Sequence, residues 1–281
     1  MTWRLRVEHR TSYSYDGDVT ASYNEARLVP LTDLRQTTLE AAVETTPPSR
    51  PQRWWDWWGT QVHAFDLHEP HDRLDVLGRA LVEAEPHRPV PDDVPGWDVL
   101  RGDGLRDRFV EFLSTTPTTG ASPEMRQEAA AAAADGDPRA TAEALLRLAH
   151  DRLEYGPGVT SVATTAAEAW EARAGVCQDY AHVAAALLRA AGLPARYVSG
   201  YLHPAAEPVL DEAAVGESHA WVQVWLGDWW AWDVTNDQPV SERHVVVGRA
   251  RDYADVAPLK GVVAGAPTSA LDVSVEITRL R

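Results

Sequence analysis

Cysteine occurs once in the 281 residues, at Cys177, and lysine once, at Lys260. A single thiol excludes an internal disulfide framework and any zinc or iron–sulfur site built from several cysteines. Cations are in the minority, with 26 basic residues against 42 acidic ones and a formal charge of −16. A field of that sign repels phosphate backbones, which argues against a nucleic-acid partner. No apolar run reaches the length needed to cross a bilayer, and the N-terminus carries no apolar signal core. The expectation is a cytoplasmic protein without a membrane partner. Apolar residues are plentiful at 44%, with 24% charged. That balance supports a substantial core in one large domain or two ordinary ones.

Up to about residue 85 the pattern is that of strands. Arg4 to Arg10 alternates, and Thr11 to Tyr15 continues with strand-favouring types before an expected turn at Asp16-Gly17. Further strand candidates span 25–28, 37–45, 61–67 and 74–83, with Pro47, Pro48 and Pro51 breaking the chain between two of them. This spacing predicts an antiparallel sandwich or barrel-like unit over residues 1–85. Residues 86–104, rich in Pro, Asp and Gly, read as a linker. Helical periodicity follows at Leu105, Phe109, Phe112 and Leu113, then after Ser122-Pro123-Glu124, over 140–153 and over 165–171. Residues 105–281, C-terminal strands included, are assigned to a second unit. The fold class is α+β.

Gly175-Val176-Cys177 opens a helix whose Tyr180, Val183, Ala184, Leu187, Leu188 and Ala191 form one stripe, stopped by Gly192-Leu193-Pro194. Cys177 therefore falls at a helix N-terminus, where unpaired N–H groups and the helix dipole favour thiolate over thiol. A lone cysteine beside an apolar helix is by itself an ordinary core residue. A nucleophile also needs a histidine base and a group that orients it. Both occur downstream, in Ser218-His219-Ala220-Trp221 and Trp232-Asp233-Val234-Thr235, on two strands joined at Leu226-Gly227-Asp228. A two-residue turn would place Asp233 on the face away from His219. A three-residue loop sets Asp233 opposite Trp221, on the His219 face and within reach of the imidazole.

Gly175 to His182, Gly192 to Tyr201, Ser218 to Trp221 and Trp232 to Asn236 together resemble the core of the bacterial transglutaminase-like family. His9 to Tyr15 resembles the β-domain that precedes the core, and Arg243-His244 with Gly248 to Gly261 resembles its C-terminal signature. The resemblance implies a papain-like core with a Cys177-His219-Asp233 triad, acting on amide or peptide bonds of a peptide or protein substrate. It implies no metal or organic cofactor, and suggests a functional link with peptide-forming ATP-grasp proteins. Two positions depart from the family pattern: Val234 stands where proline is usual, and Thr60 follows Gly59 where asparagine is usual. The reading from another class is a non-catalytic peptide-binding module on the same scaffold, whose mark would be a missing triad member.

Other candidates carry plainer alternatives. Tyr155 is placed as an oxyanion donor beside the Cys177 N–H, or as a packed loop tyrosine. Asp179 is expected to pair with Arg196, with helix capping as the alternative. His63, His68 and His71 lack ligand spacing and are expected at the surface. His182, five residues past Cys177, is expected in the core. Twelve tryptophans, five of them between Trp221 and Trp232, suggest core packing. Any exposed near His219 would line an acyl groove.

Overall fold

Five strands come first: β1 (Trp3–Ala26), β2 (Gln36–Thr46), β3 (Gln52–Trp55), β4 (Gln61–Leu67) and β5 (His71–Ala84). The computed structural model describes residues 2–86 and 89–281, so residues 87 and 88 of the expected linker lie outside the described residues. β1 is the axis of the sheet and turns Trp3, Leu5, Val7 and His9 inward. It does not reverse at Asp16-Gly17. Gly17 takes φ 153°, the register against β5 shifts between Ser14 and Val19, and the strand runs on with new partners. Its first half pairs with β5 and its last residues with β4, while β2 flanks β5 and β3 flanks β4.

Helices follow. α1 (Trp97–Leu100) falls within the expected linker, and α2 (Asp103–Arg108) and α3 (Val110–Leu113) are short turns where periodicity from Leu105 to Leu113 suggested one helix. α4 (Pro123–Asp135) and α5 (Pro138–Arg152) each start on proline behind a side-chain cap. Ser122 accepts the Met125 N–H at 3.2 Å, and Asp137 accepts the Ala140 N–H at 2.8 Å. β6 (Glu154–Tyr155) and β7 (Ala174–Gly175) pair in parallel around α6 (Ala166–Ala172), which begins with a Thr165–Glu168 capping box. α7 (Cys177–Ala190) is buried along nearly its whole length. It is apolar on most sides, as a helix at the centre of a core must be. Leu145, Leu146 and Ala149 of α5 belong to the apolar cluster around it, and so do Val222 and Val224 of the strand opposite.

That strand belongs to a second sheet of β8 (Ala195–Leu202), β9 (Ala213–Trp225), β10 (Trp229–Asp233), β11 (Gln238–Pro239) and β12 (His244–Ala250), ordered β12–β8–β9–β10–β11 and antiparallel throughout. After α8 (Tyr253–Val256), the strands β13 (Leu259–Gly265) and β14 (Thr268–Arg279) return to β1. The C-terminal strands assigned by sequence to 105–281 thus complete the first sheet. The physical reason is β1 itself: a long strand with β5 on one edge leaves its other edge unpaired until β14 covers it. β14 also pairs Val275 with Gly216 of β9, which joins the two sheets. The architecture is α+β, mostly antiparallel. Among the described residues no helix is long and apolar enough to cross a membrane.

Candidate active site

Cys177 is the first residue of α7, and its N–H has no partner within the helix. The entry to the helix is fixed by Asp179, whose Oδ2 accepts the Val176 N–H at 2.8 Å and the Thr160 hydroxyl at 2.6 Å. Asp179 is therefore a cap and does not pair with Arg196. Most of α7 separates the two, about 15 Å at 1.5 Å per residue. Arg196 donates instead to Gln223 Oε1 at 2.7 Å and lies 3.9 Å over the Trp229 ring. Burial raises the Asp179 pKa, against the hydrogen bonds from Thr160 and Val176. Gly175 leaves room for this cap, since a Cβ there would come within 2.5 Å of the Asp179 Cβ.

His219 enters from β9. The β9–β10 connection is the three-residue form, with Trp229 opposite Trp225 and Trp232 opposite Val222. Gly227 takes the positive φ of 94° that the loop needs. Asp233 then stands opposite Trp221 and reaches His219, whose Nε2–H donates to Asp233 Oδ2 at 2.9 Å. Cys177 is close enough to the same ring to raise its pKa. With Nε2 taken by Asp233, Nδ1 is the nitrogen left for the sulfur. Sγ also lies 4.0 Å from the Ser218 carbonyl oxygen.

Asp233 is fully buried and heavily hydrogen-bonded. Besides His219, it accepts from Asn236 Nδ2 at 2.8 Å, Gln238 Nε2 at 3.4 Å and a second imidazole, His244 Nε2, at 3.1 Å. His244 Nδ1 accepts the Ser241 N–H at 3.1 Å, so its proton sits on Nε2 and its tautomer is fixed. Sequence reasoning placed His244 in a C-terminal motif without giving it a role. Its proximity to Asp233 depends on how β12 is folded back, which spacing does not reveal.

Charge is divided unequally here. Burial opposes protonation of His219, but its hydrogen bond to Asp233 and the nearby Cys177 outweigh it and push its pKa up to about 10. For His244 burial prevails and the pKa falls despite Asp233. Burial also works against ionisation of Asp233, yet the two imidazoles hold its carboxyl far below the usual carboxylate range. One carboxylate thus holds one charged and one neutral imidazole. His219, Asp233 and His244 lie close enough to share a cation. Both Nε2–H groups already donate to Oδ2, however, so the donor set is arranged for hydrogen bonds.

A cleft of about 400 Å³ opens onto His219, with Tyr155, Glu217 and Arg243 on its walls and Leu202, Pro204 and Val215 as its apolar part. The Tyr155 pKa is raised to about 12 by burial and by the charge of the nearby Glu217 and Cys177. No tryptophan lines this cleft. Trp221 is wholly buried, its ring 6.0 Å from that of His219 and 5.3 Å from that of His244. Trp54, Trp55 and Trp57 are exposed on the first sheet's side of the chain. His182 is in the core as expected: its Nε2 accepts the Tyr253 N–H at 3.1 Å, and burial lowers its pKa to about 4. Of the three histidines expected at the surface only His68 is exposed, 2.6 Å from Asp66, while His63 and His71 are buried. Both lie on inward positions of strands, a periodicity that ligand spacing does not test.

A cysteine-headed helix on an antiparallel sheet, preceded by a β unit, defines the class: the chain belongs to the transglutaminase-like superfamily. Residues 126–234 match the Transglutaminase-like superfamily core, and residues 5–83 match the bacterial transglutaminase-like N-terminal region. An uncharacterized protein of Mycobacterium leprae is 44% identical over 278 residues, covering 99% of each chain. An uncharacterized protein of Mycobacterium tuberculosis is 36% identical over 293 residues, covering 98% of this chain and 93% of its own. A protein-glutamine gamma-glutamyltransferase of Pseudomonas aeruginosa is 37% identical over 99 residues, 33% of this chain and 14% of that one. The fold is shared with a solved Cytophaga hutchinsonii structure classed provisionally as a cysteine protease, at a TM-score of 0.76 and 22% identity, covering 100% of this chain and 93% of that one.

Proposed function

We propose that the protein is a cysteine-dependent enzyme acting on a carboxamide or peptide bond, with Cys177 as nucleophile, His219 as base and Asp233 as orienter. The observation that carries this is the position of His219, between the sulfur of Cys177 and a buried carboxylate that fixes its tautomer. With His219 already holding the proton as imidazolium, Sγ attacks the carbonyl carbon as thiolate, and the oxyanion forms beside the Cys177 N–H. The carbon–nitrogen bond then breaks, the imidazolium gives its proton to the departing amine, and a thioester remains on Cys177. Attack by water releases an acid and makes the enzyme a peptidase or amidase. Attack by an amine forms a new amide and makes it a transglutaminase. The local likeness to a glutamyltransferase supports a glutamine-type carboxamide as acyl donor.

Tyr155 is the side-chain candidate for the oxyanion site, since its hydroxyl faces the same cleft. A peptide-binding module on this scaffold would have no need for a fixed imidazole tautomer next to a thiol, and this favours the catalytic reading. The test is intact-mass spectrometry after incubation with a panel of glutamine-containing peptides and simple amides. A thioester adduct on the parent protein that is absent from Cys177→Ala is expected. Substrates that bind both proteins equally and never form an adduct would overturn the proposal in favour of a binding module.

A further inference from the structure

Among the described residues, Arg243 is one of several arginines of this acidic chain that meet no carboxylate, and it is the one that lines the candidate cleft. Arg27, Arg249 and Arg251 each meet a carboxylate, Asp56, Asp33 and Asp255 respectively. Arg243 meets none among the described residues. It donates through Nε to the His203 carbonyl at 3.0 Å and through Nη2 to the Pro204 carbonyl at 2.8 Å. These two neutral acceptors fix the plane of the guanidinium and leave its Nη1 edge unpaired. That group lines the cleft that opens onto His219. The other charged side chains on the cleft wall are Glu217, which lies near Tyr155, and His219. Asp233 and Glu242 act on Arg243 only through charge, at longer range. Thr235, on the same wall, has a buried hydroxyl oxygen with no partner.

A guanidinium held in place by carbonyls, with one edge free, is a ready fork for a planar anion. We propose that Arg243 recognises a carboxylate of the substrate, so that the preferred amide carries a free carboxylate close to the bond that Cys177 attacks. This rests on the active-site reading above and narrows the substrate class to acidic amides or peptides. The carboxylate is either a chain terminus or an acidic side chain, and both present the same oxygens.

The test uses alkylation of Cys177, in which the sulfur–carbon bond forms as the carbon–chlorine bond breaks and chloride leaves. Three probes of similar size are compared: N-chloroacetyl-glycine, the α-amide of N-chloroacetyl-aspartate, and neutral N-chloroacetyl-glycinamide. The first offers a terminal carboxylate and the second a side-chain carboxylate. In the parent protein at low salt, at least one anionic probe should react roughly two- to fivefold faster than the neutral one, the gain expected of one partly exposed ion pair. The advantage should persist in Arg243→Lys, vanish in Arg243→Gln and shrink with added salt. The net charge of −16 repels anions in general, so a preference for them is not explained by the overall field. Because the readout is a ratio within one protein, loss of the two carbonyl tethers does not mimic the effect. Equal rates for all three probes in the parent, or a ratio unchanged in Arg243→Gln, overturn the proposal while leaving the nucleophile reading intact. A Cys177 inert to every probe overturns the active-site reading and this proposal with it.

Discussion

Two imidazoles share one oxygen of Asp233, and their different settings decide which is charged. His219 has the sulfur beside it and is held protonated, while His244 sits in a dry pocket with its Nδ1 occupied by a backbone N–H and stays neutral. His244 therefore acts on Asp233 as a hydrogen-bond donor only. Replacing it by leucine removes that donor and also strands the Ser241 N–H. A loss of about 1–3 kcal/mol is expected for a buried group left unpaired. His244→Gln keeps a donor of similar reach and should recover part of that loss. Urea denaturation of the two variants checks this; equal stabilities would show that the bond to Asp233 contributes nothing.

At the scale of elements, the site depends on how α7 begins. A methyl group at residue 175 would meet the Asp179 side chain at 2.5–2.9 Å, displacing the carboxylate that caps the helix and with it the first turn. Gly175→Ala should cost roughly 1–3 kcal/mol as an overpacking change and slow any reaction of Cys177. Thermal melts and alkylation rates measure the two effects separately. A fully stable variant with unaltered reactivity would contradict this role for the cap. Much of this was legible before folding: the apolar stripe of α7, the helix start at Ser122-Pro123-Glu124 and the two strands of the β9–β10 hairpin follow from local periodicity, while the hairpin's loop length, and so its parity, stayed open. Asp233 is placed by counting through a three-residue loop. His244 and Arg243 were not legible, because they arrive on β12, which pairs with β8 rather than with the nearer β10. Nor was the return of β13 and β14 to β1, a pairing across almost the whole chain that no local pattern encodes.

For the whole molecule, buried histidines set opposing limits on stability. His9 and His182 are lowered by burial from the ordinary 6.5 to about 4, so their neutral forms favour the fold and stability is lost as pH falls from 6.5 toward 4. Asp233 is depressed too, and its contribution disappears below the ordinary carboxylate range. His219 works in the other direction. Its pKa is raised to about 10, so its contribution is complete below 6.5 and is lost as pH rises through 10. Each unit of separation is worth roughly 1.4 kcal/mol. The urea midpoint should therefore peak near pH 6.5, and His219→Gln should flatten the alkaline side and weaken the part of the acid side that Asp233 carries. An unchanged alkaline limb in that variant would mean that His219 carries no charge in the fold. The central claim, that Cys177 and His219 form one chemical unit, is tested most directly by the rate of Cys177 alkylation with iodoacetamide between pH 5 and 9, in the parent and in His219→Ala. The parent should react well below neutral pH, and the variant only as the solution becomes alkaline. Two superimposable profiles would contradict the claim.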